Sequence, residues 1–118
     1  MAGVVKKSWG TAKTLYLDDH LQIVEIRVKA GGRSSIHKHD ENWNLFVVLR
    51  GRLQVDIFRA DGQCASPRGG PENSLICVRP KQQHRFTGIT ETVAREIYFR
   101  EPADLPLNPN DIIRGREG

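Results

Sequence analysis

The chain has 118 residues, 38% hydrophobic and 27% charged, a length and balance that suit one soluble globular domain with a real core. Its net charge of +4 is scattered along the chain, with no basic helix and only 7% aromatic residues, so no nucleic-acid partner is expected. The longest uncharged run, Asn42 to Leu49, is far short of the roughly 20 residues of a membrane helix, so no membrane partner is expected either.

Met1 to Lys7 lacks the apolar stretch of a signal peptide, and a cytoplasmic protein is expected. Cys64 and Cys77 form no CxxC pair and read as reduced thiols. Residues 1–13 read as an N-terminal arm, frayed or held by a partner, and residues 102–118 as a tail whose last residues, Arg114 to Gly118, fray. Between them lies a core of about residues 20–101. Leu21 to Val28 alternates, with Val24, Ile26 and Val28 on one face. Ala30-Gly31-Gly32 turns the chain into a strand from Ser34 to His39, and Asp40 to Asn42 turn it again. Asn44 to Leu49 is apolar and rich in strand formers; Arg50-Gly51 leads into the period-two stretch Leu53 to Ile57. Asp61-Gly62 and Pro67 to Pro71 predict a long, irregular hairpin region. Leu75 to Val78, His84 to Phe86 and Val93 to Phe99 complete the set. Short strands with Gly/Pro turns, and no convincing helical stretch before the end, predict an all-β sandwich or barrel.

Three of the four histidines carry the chemistry. His37 and His39 are two apart, so a strand places both on one face. Imidazole is the commonest protein ligand for transition metals, which makes the pair half of a metal site; the plainer reading is a polar strand edge. Alternation puts Phe46 and Val48 on the face of Asn44 and Phe86 on that of His84, as walls of a substrate pocket or as simple barrel core. Trp43 faces the other way, toward a second subunit or a surface neighbour. Glu25 and Glu96 are the strand-borne candidates for a general base, and His20 reads as an exposed turn residue. No Ser-His-Asp frame, P-loop or GxGxxG pattern is present, and catalytic residues stay unassigned.

The run Gly31-x5-His37-x-His39-x4-Asn44-x6-Gly51 resembles the first cupin motif, G-x5-H-x-H-x3,4-E-x6-G, with Asn44 in the glutamate position. Of the second motif, Asn73-x5-Arg79-x-Lys81-x2-His84-x3-Gly88 keeps the histidine, and Val78-Arg79-Pro80 with His84-Arg85-Phe86 is similar to the stretch around it. Asn110 to Arg114 resembles the end of the cupin domain of type II mannose-6-phosphate isomerases. The resemblance spans about residues 20–114 and implies a single-domain, all-β cupin double-stranded β-helix, that is, a jelly-roll β-barrel. It implies metal ligands His37, His39 and His84, with Asn44 as fourth ligand or as a pocket-wall amide and Glu41 as the rival fourth ligand. Such nitrogen donors suit one divalent transition metal, zinc, iron, nickel or copper, over magnesium or calcium.

Arg79 and Lys81, in place of the motif's proline and glycine, read as rim contacts for an anionic substrate or as solvated charges. An uncharged Asn44 leaves the metal's charge uncompensated, which weakens metal binding but favours an anionic ligand. Three functions remain open. The first is a metal-bearing cupin that binds, and can transform, a small polar molecule such as a sugar or sugar phosphate. The second is an iron-dependent dioxygenase-type cupin, and the third a non-catalytic ligand-binding or structural cupin. Isomerase activity is not assigned, because those enzymes keep the glutamate. A homodimer is expected, since small cupins pair through sheet faces and Trp9 and Trp43 would be wet in a monomer. The N-terminal strand then crosses to the partner's sheet; the rival is that both tryptophans fold back on their own barrel.

Overall fold

Side-chain alternation divides each strand into an inward apolar face and an outward mixed face, and the inward faces close on one another. The computed structural model describes residues 3–108 and 111–114. Among these, the strands are β1 (Val5–Lys7), β2 (Gly10–Leu17), β3 (Gln22–Val28), β4 (His37–Lys38), β5 (Trp43–Arg50), β6 (Leu53–Phe58), β7 (Cys64–Gly70), β8 (Leu75–Val78), β9 (Gln83–Gly88), β10 (Thr92–Phe99) and β11 (Ile113–Arg114). They form a six-stranded sheet, β1-β2-β3-β10-β5-β8, and a five-stranded sheet, β11-β4-β9-β6-β7. Every pairing among them is antiparallel. Ile26, Val28, Phe46, Val48, Ile76, Val78 and Ala94 from the first sheet meet Leu53, Val55, Ile57 and Phe86 from the second in one core. The core fills one end of the sandwich and leaves the other end open for the histidines. No helix among the described residues is long and apolar enough to cross a membrane.

The two glycines of the first motif both sit at turns in the left-handed region, at φ of 79° for Gly31 and 85° for Gly51. They differ in surroundings. A Cβ on Gly51 would lie 2.1 Å from the Glu91 carbonyl oxygen, whereas one on Gly31 would meet nothing within 4 Å.

Three expectations need correction. Within the described part of residues 1–13, the arm is ordered on its own barrel: β1 pairs with β2, and β2 pairs with β3 from Gly10↔Val28 to Leu17↔Gln22. The reason is the edge of β3, whose free backbone groups β2 satisfies, while the Lys29 amide donates to the Trp9 carbonyl at 2.9 Å. The strand expected over Ser34 to His39 shrinks to His37–Lys38. Ser34 leaves the regular ladder because its hydroxyl oxygen accepts the Phe86 amide at 3.1 Å while its own amide donates to the Phe86 carbonyl at 3.0 Å. The run Pro67 to Gly70, expected to be irregular, belongs to β7, which pairs with β6 from Leu53↔Gly70 onward. Pro67 is tolerated because β7 is a sheet edge, where a strand can spare an amide. Of the expected frayed end, Arg114 lies in β11 and residues 115–118 fall outside the described residues. His20 is exposed in a turn, and Cys64 and Cys77 are free.

Candidate metal centre

His37 on β4 is the direct cross-strand partner of His84 on β9, so their side chains share the inner face, with ring centroids 4.4 Å apart. His39, two residues on, returns to that face, its ring 5.3 Å from His37 and 5.4 Å from His84. All three are buried, and one ring nitrogen from each lies within 4.8 Å of the others.

The hydrogen bonds decide which nitrogens face inward. Nδ1 lies beside a main-chain carbonyl in each case: Ser35 for His37 at 2.9 Å, Asp111 for His39 at 2.6 Å and Gln82 for His84 at 2.9 Å. A carbonyl oxygen only accepts, so each Nδ1 carries a proton, and in a neutral imidazole so held Nε2 is the nitrogen with the lone pair. The Nε2 atoms of His39 and His84 are buried with no hydrogen-bond partner. Such orphaned acceptors are costly unless a ligand meets them, and carbonyl-anchored imidazoles are how metal-binding histidines are held. The donor set therefore fits a divalent transition metal. Burial, and then the neighbouring His37, pushes the His84 pKa from 6.5 down to about 3, so His84 is neutral at physiological pH.

Asn44 on β5 is fully buried on the inner face. Its Nδ2 donates to Glu96 Oε2 at 3.0 Å, which turns Oδ1 away, buried and without a partner. Glu96 on β10 also accepts the Tyr98 hydroxyl at 2.7 Å on the same oxygen. Burial raises the Glu96 carboxyl above its usual value against the pull of these two donors. Burial, and next Glu96, raises the Tyr98 phenol well above 10.

A cavity of about 520 Å³ opens over His37 and His39, with His84 and Asn44 outside its lining. Trp9, Val24 and Phe86 give it apolar wall, and Gln22, Ser34, Glu96 and Tyr98 give it polar groups, with Lys7 beside them. Of the residues expected to touch substrate, Phe86 lines this cavity. Phe46 and Val48 are core, Phe46 meeting the His84 ring edge-on at 6.5 Å. Arg79 and Lys81 are exposed and stand apart from the cavity lining. Lys81 holds a turn at φ 71°, where the motif has glycine, and its amide donates to the His39 carbonyl at 2.6 Å. Glu41 is exposed and paired with Arg100 at 3.5 Å. Glu25 points outward, where Arg27 and Arg95 meet it, so of the two acids only Glu96 faces the cavity.

Sequence reasoning gives no role at this site to Trp9, Tyr98 or Asp111. Tyr98 was within reach, because alternation from Glu96 puts it on the same face. Trp9 is half-buried against the core by an edge-to-face contact with Phe86 at 4.9 Å, which required knowing where β1 and β2 go. The resemblance at Asn110 to Arg114 marks the segment that holds Asp111 but gives that residue no role.

No family model matches the sequence, and no curated protein resembles it significantly. Solved structures do. KdgF from Halomonas sp. superposes with a TM-score of 0.72 at 11% identity, over 84% of this chain and 88% of that one. Streptomyces PAC13 with uridine gives 0.75 at 13% identity, over 98% and 85%. Oxalate decarboxylase from Bacillus subtilis gives 0.77 at 16% identity over 95% of this chain, which spans only 29% of that enzyme's. At such identities the likeness establishes architecture alone, and the architecture is the double-stranded β-helix, here carrying a three-histidine cluster that fits a metal ion.

Proposed function

We propose that His37, His39 and His84, with Asn44 Oδ1 as fourth donor, hold one zinc, iron, nickel or copper ion, and that a small, polar, anionic molecule of the sugar or sugar-phosphate class binds beside it. The observation that carries this reading is the shared anchoring: three imidazoles, each with Nδ1 on a main-chain carbonyl, bring one ring nitrogen apiece within 4.8 Å of the others. When bound, the metal supplies Lewis acidity and a positive charge that no ligand offsets. Lys7 adds to that charge on the cavity wall, and Trp9 offers an aromatic face. The tail's resemblance to mannose-6-phosphate isomerases is in keeping with a sugar ligand.

Glu96 is the group for proton transfer within the cavity, its carboxyl raised above its usual value by burial and bonded by Tyr98 and Asn44. The cytoplasm, which keeps thiols reduced, suits two free cysteines. A homodimer through the outer face of the six-stranded sheet suits the stacked pair Trp43 and Phe99 and the cross-strand row Leu45, Ile97 and Ile23 beside it. Calorimetric titration of zinc-loaded protein with a hexose phosphate and with the unphosphorylated hexose tests the ligand class. Saturable heat is expected for the phosphate and little for the neutral sugar; equal or absent binding of both contradicts it.

A further inference from the structure

His37 and His84 take their Nδ1 partners from carbonyls two residues back in the chain, Ser35 and Gln82, just ahead of β4 and β9. His39 takes its partner from Asp111, 72 residues away. Two of the three imidazoles are thus anchored by any chain that forms β4 and β9, while the third depends on a distant segment being in place.

One side chain of that segment gathers most of its bonds to the β4–β5 turn. The Asp111 carboxylate accepts three consecutive amides of the β4–β5 turn: Asp40 on Oδ1 at 2.8 Å, Glu41 on Oδ2 at 2.7 Å and Asn42 on Oδ2 at 2.8 Å. Burial alone would raise this carboxyl, but the three amides hold it below the usual carboxylate range. Asn108 reinforces the junction, its carbonyl accepting Asn42 Nδ2 at 2.8 Å and its amide donating to Glu41 at 2.9 Å. Beyond Asp111, Ile113 and Arg114 pair with Lys38 and His37 of β4, the strand that carries the first ligand and leads into the second.

We infer that Asp111 is the positioning residue of the metal centre: its carboxylate clamps the 40–42 turn so that its carbonyl fixes His39 with Nε2 as the free acceptor, making metal affinity conditional on the docked C-terminal strand. The inference rests on the metal reading above. It has the physical form of a coupling between two segments, and such coupling runs both ways.

Replacing Asp111 by asparagine keeps the size but substitutes an NH₂ donor for an acceptor facing three amides. Zinc affinity of Asp111→Asn, measured by competition with a chromophoric chelator, is expected to fall about 10- to 100-fold, the usual effect of losing the group that orients a ligand. Nitrogen-15 spectra of the metal-free histidines at pH 8 supply the readout that a general loss of stability would not move. His39 should lose its Nδ1–H form in the variant while His37 and His84 keep theirs. Should Asp111→Asn not fold, wild-type amide exchange decides: zinc should slow exchange at Ile112 and Ile113, which neighbour no ligand in sequence. Wild-type zinc affinity and an unchanged His39 tautomer in folded Asp111→Asn overturn the inference alone, as does unaltered exchange at Ile112 and Ile113. Wild-type protein that takes up no zinc overturns the metal reading with it.

Discussion

Asn44 marks the point at which this chain departs from the cupin pattern, and its surroundings explain why a carboxylate there would carry a cost. Its amide donates to Glu96, whose Oε2 is already crowded by the Tyr98 hydroxyl. Asn44→Glu would set two buried carboxyls side by side and remove a donor, so metal-free stability should fall by roughly 1–3 kcal/mol. Zinc affinity should rise, because a carboxylate joins a site whose charge is uncompensated. Denaturant titration without metal and chelator competition with it check the two halves, and weaker zinc binding in a folded variant would remove Asn44 from the ligand set. His84 makes a separate prediction about pH. Its folded pKa of about 3 lies below the ordinary 6.5, so between those values the unfolded chain binds the extra proton. The stability it contributes is present above pH 6.5 and drains away as pH falls toward 3. Glu96, shifted upward, works the other way, its contribution fading as pH rises through its folded pKa. Comparing metal-free wild type with His84→Gln isolates the histidine: between pH 7 and 4 the wild type should lose clearly more stability. Parallel loss in both would contradict the burial argument.

Strands that face a packed core announced themselves, and β2, which lines the cavity, did not. β5 and β6 put Phe46, Val48, Leu53, Val55 and Ile57 inward, so period-two hydrophobicity is plain in the sequence. β2 turns Ala12 toward the cavity instead, and a strand that leaves room for a ligand carries small residues and little contrast. β1, exposed along its length at the sheet edge, offered no contrast either, and the place of Trp9 was hidden with it. β7 was hidden by Pro67 and its flanking glycines, which read as turn until its edge position is known. The metal ligands were legible because their spacing is local to β4 and their face is fixed by alternation. Asp111 was not, because its role comes from a contact across the fold. At the turns, the two motif glycines allow a paired test. Gly31→Ala should cost about 1 kcal/mol, the left-handed backbone penalty alone. Gly51→Ala should cost roughly 2–4 kcal/mol, since its Cβ also meets the Glu91 carbonyl oxygen at 2.1 Å. Thermal unfolding that shows the two variants equally stable would mean that the Gly51 turn yields easily.

At the scale of the whole molecule, one of the two tryptophans that argued for a dimer no longer does. Trp9 folds back onto Phe86 in its own barrel, as the rival reading had it. Trp43 remains on the outer sheet face, stacked on Phe99 with centroids 6.1 Å apart, next to Leu45, Ile97 and Ile23. Light scattering at micromolar concentration should give about twice the chain mass of 13.3 kDa, and Leu45→Lys should return it to one. A wild-type mass near the single chain would rule the pairing out. The metal centre is the claim on which the functional reading turns, and elemental analysis tests it most directly. Untagged protein purified without chelator should carry close to one zinc, iron, nickel or copper per chain, and His37→Ala should carry none while keeping the wild-type β-sheet circular dichroism. Folded wild-type protein that arrives without metal, and takes up none of these ions when they are supplied, would contradict it.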